Sequence, residues 1–144
     1  NRQAQRYLAR REHGVKELRQ KLLRKGYDGA AVDEVLLHLK TKGWLSDRRF
    51  QHAFVRHWVQ KGYGPSVIWA RLEMRCEELL PMHQLDDVAI DWLEVAYRWV
   101  VSAWRSKSVY DYGKISQALY RRGFASDHIT KTRRRLKEEE AGDR

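Results

Sequence analysis

A ten-residue stretch of this chain occurs twice. Leu18-Arg-Gln-Lys-Leu-Leu-Arg-Lys-Gly-Tyr27 returns as Ile115-Ser-Gln-Ala-Leu-Tyr-Arg-Arg-Gly-Phe124. The apolar positions coincide, a basic pair precedes the glycine, and an aromatic follows it in both copies. A short helical unit cannot bury its apolar face alone, so recurring units must stack on one another. Such a chain is expected to present a surface to a long partner rather than to enclose a catalytic pocket.

Helical punctuation divides the chain. Val15, Leu18 and Leu22 fall on one helical face, and Gly26 stops that helix, since glycine takes the left-handed terminal conformation without a Cβ penalty. A helix with Val32, Val35, Leu36 and Leu39 as its stripe follows, running to Lys42 and ending at Gly43. Ser46 or Asp47 caps the next, with Phe50, Phe54, Trp58 and His57 expected on its inner face through Lys61. Gly62-Tyr-Gly-Pro65 is a turn with Pro65 as the first residue of a helix carrying Ile68, Leu72 and Cys76. Pro81 is expected to start a short helix with Leu85, Val88 and Ala89.

Beyond it, Trp92, Ala96, Trp99 and Ala103 share a helical face, Tyr110 to Gly113 forms a turn, and Ile115 and Leu119 lead to Gly123. A last helix opens at Ser126 or Asp127 and carries Ile129 and Leu136, with a frayed polar tail from Glu138. Period-two alternation is missing over any useful length. The expected fold is all-α, an elongated tandem array of three three-helix repeats of the right-handed helical-repeat type, each unit helix-turn-helix-like. Their expected bounds are residues 1–45, 46–90 and 91–137, followed by a tail at 138–144. The expected structural core is Leu18, Leu22, Trp44, Phe50, Phe54, Trp58, Ile68, Leu72, Trp92, Trp99, Ile115 and Leu119.

The formal net charge of +10 points to a polyanion or an acidic protein surface as partner. It is unevenly spread: residues 2–25 and 131–137 are basic, whereas 73–94 carry Glu73, Glu77, Glu78, Asp86, Asp87, Asp91 and Glu94 against Arg75. Segregation of this kind orients an approaching partner. The single cysteine, Cys76, excludes an internal disulfide and a cysteine-based zinc site, and its place on an apolar stripe marks a buried, inert thiol. No apolar run is long enough to span a membrane and no signal peptide is present, so a cytoplasmic protein is expected. The chain opens at Asn1 rather than at a methionine, so a preceding segment is expected.

Catalytic chemistry finds little support. Gly62-Tyr-Gly64 lacks dinucleotide-binding spacing, and no glycine cluster is followed by Lys-Ser/Thr. None of the six histidines pairs with another at helical metal-ligand spacing, and Asp86-Asp87 suit the first turn of a helix, where the macrodipole favours acids. The expectation is a binding protein without cofactor or metal.

Gly43-Trp-Leu-Ser-Asp-Arg-Arg-Phe50, then Phe54, Lys61-Gly-Tyr-Gly-Pro65, Ile68 and Leu72, resembles the central repeat of the RecX family of recombination regulators. Residues 12–27 resemble that family's first repeat, and Ile90-Asp-Trp92 with Arg121-Arg-Gly-Phe124 its third. The resemblance implies tandem three-helix repeats that bind the RecA recombinase in the groove of its filament on single-stranded DNA. It also implies inhibition of the ATPase, co-protease and strand-exchange activities, with filament extension blocked or disassembly promoted. A monomer is expected, meeting single-stranded DNA directly or through RecA. Two departures stand out. Cys76 replaces the repeat glycine in the middle unit, so that turn must be built differently, and Gly14 stands where relatives carry a small hydroxyl cap.

The candidate contacts are the cations that the core stripes leave outside: Lys25, Arg48, Arg49, Arg56, Lys61, Arg71, Arg75, Arg121 and Arg122. Arg133, Arg134 and Arg135 are consecutive and must point in different directions. Trp69 and Trp104 fall off the stripes and are candidate exposed anchors. A general basic helical module for nucleic acid is the alternative reading.

Overall fold

The computed structural model describes residues 1–81 and 89–142. Among these the fold is all-helical: α1 (Arg2–Arg10), α2 (Val15–Arg24), α3 (Gly29–Thr41), α4 (Asp47–Gln60), α5 (Pro65–Glu73), α6 (Trp92–Ala103), α7 (Tyr112–Arg121) and α8 (Ser126–Gly142). The short helix expected after Pro81 falls largely on residues outside those described, as do Asp86 and Asp87.

Local chemistry sets most of the helix ends. The carboxylates of Asp28, Asp91 and Asp111 accept from backbone N–H groups three residues on and so cap α3, α6 and α7. Ser46 Oγ does the same for Arg49 N at the start of α4. Gly26, Gly43, Gly62 and Gly123 stand just past the ends of α2, α3, α4 and α7, all with positive φ. The last helix continues through the stretch expected to fray, and Tyr97 Oη donates to Glu139 Oε2 at 2.6 Å along it. Gly113 lies within α7 rather than in the turn before it.

The chain divides into two compact units, Asn1–Val55 with Ala70–Asp87, and Arg56–Trp69 with Val88–Arg144. In the first, α1, α2 and α3 pack around Ala4, Val15, Leu18, Leu22, Val32, Leu36, Leu39 and Leu45. In the second, α8 lies against both α6 and α7. Its buried side chains include Ile68, Trp92, Ala96, Val100, Ile115, Leu119 and Leu136.

Four expected core positions lie elsewhere. Trp44 is 52% exposed and meets the edge of the His38 ring, at 6.4 Å between centroids. The reversal at Gly43 sends Trp44 outward and gives its buried place to Leu45. On α4 the buried positions are Asp47, Phe50, Gln51 and Val55, so Phe54 and Trp58 flank the stripe half-buried and His57 is exposed. An apolar pattern passes over the true stripe because two of its members are polar. On α6 the stripe is Trp92, Ala96 and Val100, which leaves Trp99 half-buried and Ala103 exposed. Trp69 and Trp104 are half-buried rather than exposed.

Candidate interaction surfaces

Asp47 organises the first unit. It is 8% exposed, and its Oδ1 accepts from Val15 N at 2.8 Å while its Oδ2 accepts from Glu77 N at 2.8 Å and Glu78 N at 3.0 Å. One turn further along α4, Gln51 is fully buried and pairs both ways with Leu80, donating to its O at 2.8 Å and accepting from its N at 2.9 Å. These two side chains build the turn that has Cys76 where the other repeats have glycine. The helix is not prolonged there: α5 stops at Glu73, and the following backbone is held by α4 side chains. Burial, then the neighbouring Asp47 carboxylate, push the Cys76 thiol up to about 12, which keeps it protonated and unreactive.

Gly14 meets that same turn. Glu17 N donates to Arg75 O at 3.2 Å, and a Cβ on Gly14 would stand 2.1 Å from that oxygen. A hydroxyl cap is excluded sterically; Arg75 O takes the Glu17 N–H it would have accepted, and Glu17 Oε1 accepts from Gly14 N at 3.3 Å. Beside it His13 is buried, with Nδ1–H donating to Arg11 O at 3.1 Å and Nε2 accepting from Lys21 Nζ at 2.9 Å. Burial lowers the His13 pKa; the hydrogen bond to the Arg11 carbonyl, next in size, opposes it, the charges of Arg11 and Lys21 add to the lowering, and Glu17 opposes it least. A folded pKa below the unfolded value of about 6.5 means that this contribution to stability is complete above that pH and is lost as pH falls toward the folded pKa. Wild type is therefore expected to lose urea resistance between pH 7.5 and 5.5 faster than His13→Gln, whose amide does not titrate. Parallel pH slopes would contradict this.

The candidate cations of this unit divide into two groups. Lys25 and Arg48 are exposed, with no ion pair among the described residues. Arg49 is engaged at home, bonding Glu12 Oε1 at 2.9 Å and Gly43 O at 2.7 Å. Arg75 donates to Arg71 O at 2.7 Å and lies 5.4 Å from the centroid of the Phe54 ring, with Arg71 half-buried nearby.

The second unit contains a corresponding close approach. Gly64 N donates to Arg122 O at 2.7 Å and Ser66 N to Gly123 O at 3.1 Å, which joins the turn before α5 to the turn before α8. Arg122 locks this place. Its guanidinium lies 4.1 Å from the Tyr63 ring centroid and 4.4 Å from that of Trp99, and it donates to Gly62 O at 2.8 Å and Lys61 O at 2.6 Å. Those carbonyls end α4, so the cation also meets the negative end of the helix. Arg122→Ala is expected to cost about 2 kcal/mol, from bonds to a charged donor and two stacked rings, whereas the exposed Arg121→Ala should stay within about 0.5 kcal/mol. Urea unfolding followed by tryptophan fluorescence would measure both, and equal midpoints would remove the lock.

Arg56, Lys61 and Arg121 are exposed in this unit. Of the three consecutive arginines of α8, only Arg135 parts from the other two. Arg135 turns onto Glu94 at 2.7 Å and over the Tyr97 ring at 3.5 Å, while Arg133 and Arg134 border a hollow of about 520 Å³ with Thr130 and Lys137. A hollow of about 650 Å³ beside Lys61, Glu94, Arg98 and Trp99 is lined by no histidine or cysteine among the described residues. Among the described residues no group of three or more His, Cys, Asp or Glu is placed to hold a metal ion, and no helix is long and apolar enough to cross a membrane.

These features define a helical-repeat protein with exposed cations and close backbone-to-backbone junctions. A family model described as the first three-helix domain of RecX matches residues 2–39. A protein named Regulatory protein RecX from Halorhodospira halophila is 37% identical over 134 residues, covering 88% of this chain and 81% of that protein. A protein of that name from Haemophilus influenzae is 33% identical over 130 residues, with 85% of this chain and 84% of its own length covered. The chain belongs to the RecX family. The crystal structure of RecX from Lactobacillus salivarius has the same fold at a TM-score of 0.67 and 20% identity, covering 94% of this chain and 93% of that one. These relatives are named as regulatory proteins and not as enzymes, and family membership assigns this chain a regulatory role.

Proposed function

We propose that this chain binds the RecA filament on single-stranded DNA and inhibits its ATPase, co-protease and strand-exchange activities, thereby modulating recombination and DNA repair. The observation that carries the reading is the length of the likeness to Regulatory protein RecX of Halorhodospira halophila, at 88% of this chain. On this reading the chain is a cytoplasmic monomer without catalytic activity, built of three repeats at 1–45, 46–90 and 91–137 with a tail at 138–144. Lys25, Arg48, Arg56, Lys61 and Arg121, which the fold leaves exposed, make the first contacts. Arg49, Arg75 and Arg122 act chiefly by holding the backbone that presents them, and Arg71, half-buried, contributes from beside Arg75.

The test is an ATPase titration of DNA-bound RecA filaments. Inhibition well below one chain per recombinase subunit would indicate capping of a growing end, and a requirement near stoichiometry would indicate coating of the groove. No inhibition and no retention by the filament would end the proposal. Arg56→Glu/Lys61→Glu/Arg121→Glu is expected to keep its helicity and to need about tenfold more protein for half-inhibition, equivalent to about 1.4 kcal/mol. Unchanged inhibition would remove this face from the contact.

The net charge of +10 favours a second reading, a general nucleic-acid-binding module. Salt separates the two, since affinity for phosphates falls steeply and linearly on logarithmic axes. Binding to the filament is expected to persist at salt that abolishes binding to naked DNA.

A further inference from the structure

Lys21 meets a nitrogen where a lysine ordinarily meets oxygen. Its Nζ lies 2.9 Å from His13 Nε2, whereas Lys40 pairs with Glu77 at 3.4 Å and Lys16 donates to Glu73 O at 3.3 Å. His13 is buried, and its Nδ1–H donates to Arg11 O at 3.1 Å, which leaves Nε2 the acceptor. Among the described residues no carboxylate stands at ion-pair distance from Lys21. Glu17, on the preceding turn of α2, is already committed, since its two oxygens accept from the Arg11 guanidinium at 2.9 and 2.8 Å.

The charged form is disfavoured in this place. The side chain is half-buried, with Nζ 5.0 Å from the centroid of the Tyr7 ring. Burial and then Arg11 hold the ammonium below the ordinary lysine range; Glu17 opposes them, and Arg24 and Arg10 add to the lowering. Arg10 and Arg24 are themselves exposed and have no ion pair among the described residues. A lysine desolvated beside other cations is a nucleophile, because more of it is neutral amine. Here a neutral amine donates one N–H to Nε2 and keeps its lone pair free, with a base at proton-transfer distance.

We propose that Lys21 is a modification site acylated by acyl phosphates, with His13 as general base and Arg10 and Arg24 drawing the anionic donor to the amine. The neutral Nζ adds to the acyl carbon, the bond from that carbon to the phosphate oxygen breaks, and inorganic phosphate leaves with the electron pair of that bond. The proton shed by the nitrogen passes to His13 Nε2 and from there to solvent. Unpaired cations concentrate an anionic donor and stabilise the charge that grows on its leaving group, a gain that an uncharged donor does not share. The product suits the site as well. A secondary amide keeps one N–H to donate to Nε2 and removes a positive charge from beside Arg10, Arg11 and Arg24. The inference goes beyond the filament reading and its test needs no recombinase.

The test incubates the full chain with acetyl phosphate and follows each lysine by peptide mass spectrometry. Lys21 is expected to be acetylated at least about fivefold faster than Lys114 and Lys131, which are exposed and have no ion pair among the described residues. His13→Gln keeps a polar side chain but no base, and is expected to slow Lys21 about tenfold with Lys114 and Lys131 unchanged. Arg10→Gln/Arg24→Gln is read as a ratio, the Lys21 rate with acetyl phosphate over that with the uncharged ester N-acetoxysuccinimide, which cancels any change in the amine itself. That ratio is expected to fall about threefold, and it decides the matter if circular dichroism shows His13→Gln unfolded. A Lys21 rate no greater than those of Lys114 and Lys131, a folded His13→Gln that acetylates as wild type, or an unchanged ratio in the arginine variant would each overturn the proposal.

Discussion

Gly64→Ala is expected to destabilise the protein by about 3 kcal/mol, while Gly29→Ala leaves it unchanged or slightly more stable. Neither glycine has a positive φ, so conformational freedom does not separate them. The difference is space. A Cβ on Gly64 would lie 2.5 Å from the carbonyl carbon and oxygen of Gly123 and 2.6 Å from Phe124 N, all of them backbone atoms that cannot swing aside. Relief requires separating the two turns, which breaks the bonds from Gly64 N to Arg122 O and from Ser66 N to Gly123 O. Overpacking costs about 1–3 kcal/mol and each lost bond about 1 kcal/mol. A Cβ on Gly29 meets nothing within 4 Å at the first position of α3, where alanine lowers the entropy of the unfolded chain. Urea midpoints of the two variants would decide, and a Gly64→Ala midpoint equal to wild type would deny the close approach. Gly14→Ala should behave like Gly64→Ala, because its Cβ would meet Arg75 O at 2.1 Å.

The helix ends of this chain could be read from sequence because glycine, proline and aspartate act over three or four residues, a range that local pattern covers. The gap between Gly43 and Asp47, the Pro65 start and the Gly123 stop all follow from such short-range chemistry. The buried faces were less legible. Periodicity seeks apolar side chains, and it slid along α4 because Asp47 and Gln51 occupy inner positions while Phe54 and Trp58 sit at the margin. His13 and Thr132 are likewise polar and buried. Trp44 misled by size: its place depends on the direction the chain takes after Gly43, which no helical spacing encodes.

Among the candidate contacts, charge type could be read but engagement could not. Arg121 and Arg122 are adjacent and identical in sequence terms, yet one is exposed and the other lies between two rings, because the bonds of Arg122 go to residues some sixty positions earlier. A like distance in sequence hides the meaning of Gly14, whose partner is Arg75, and half that distance hides that of Cys76, whose turn is fixed by α4. The two departures from the family pattern are thus one arrangement. Gly14 leaves room for the backbone of Arg75, whose carbonyl takes the Glu17 N–H that a hydroxyl at position 14 would have capped, while Asp47 takes the neighbouring Val15 N–H.

That arrangement makes Asp47 the side chain whose loss should be felt most. Its carboxylate accepts three backbone N–H groups from two places in the first unit, the start of α2 and the turn after α5. Asp47→Ala leaves those donors without an acceptor in a site only 8% exposed. Each orphaned buried donor costs about 1–3 kcal/mol, and partial rehydration of Glu77 N and Glu78 N, which are less enclosed than Val15 N, brings the expected sum to about 4 kcal/mol. Asp47→Asn is a sharper probe than alanine because it keeps shape and volume. An amide offers one oxygen to the three donors and turns its own N–H₂ toward at least one of them, so about half the loss should remain. A merely space-filling role would make asparagine neutral, and a merely electrostatic one would let Asp47→Glu restore stability despite its longer reach. The backbone role predicts that both fail, with the amide protons of Val15 and Glu77 losing their protection from hydrogen exchange in step with the fall in urea midpoint.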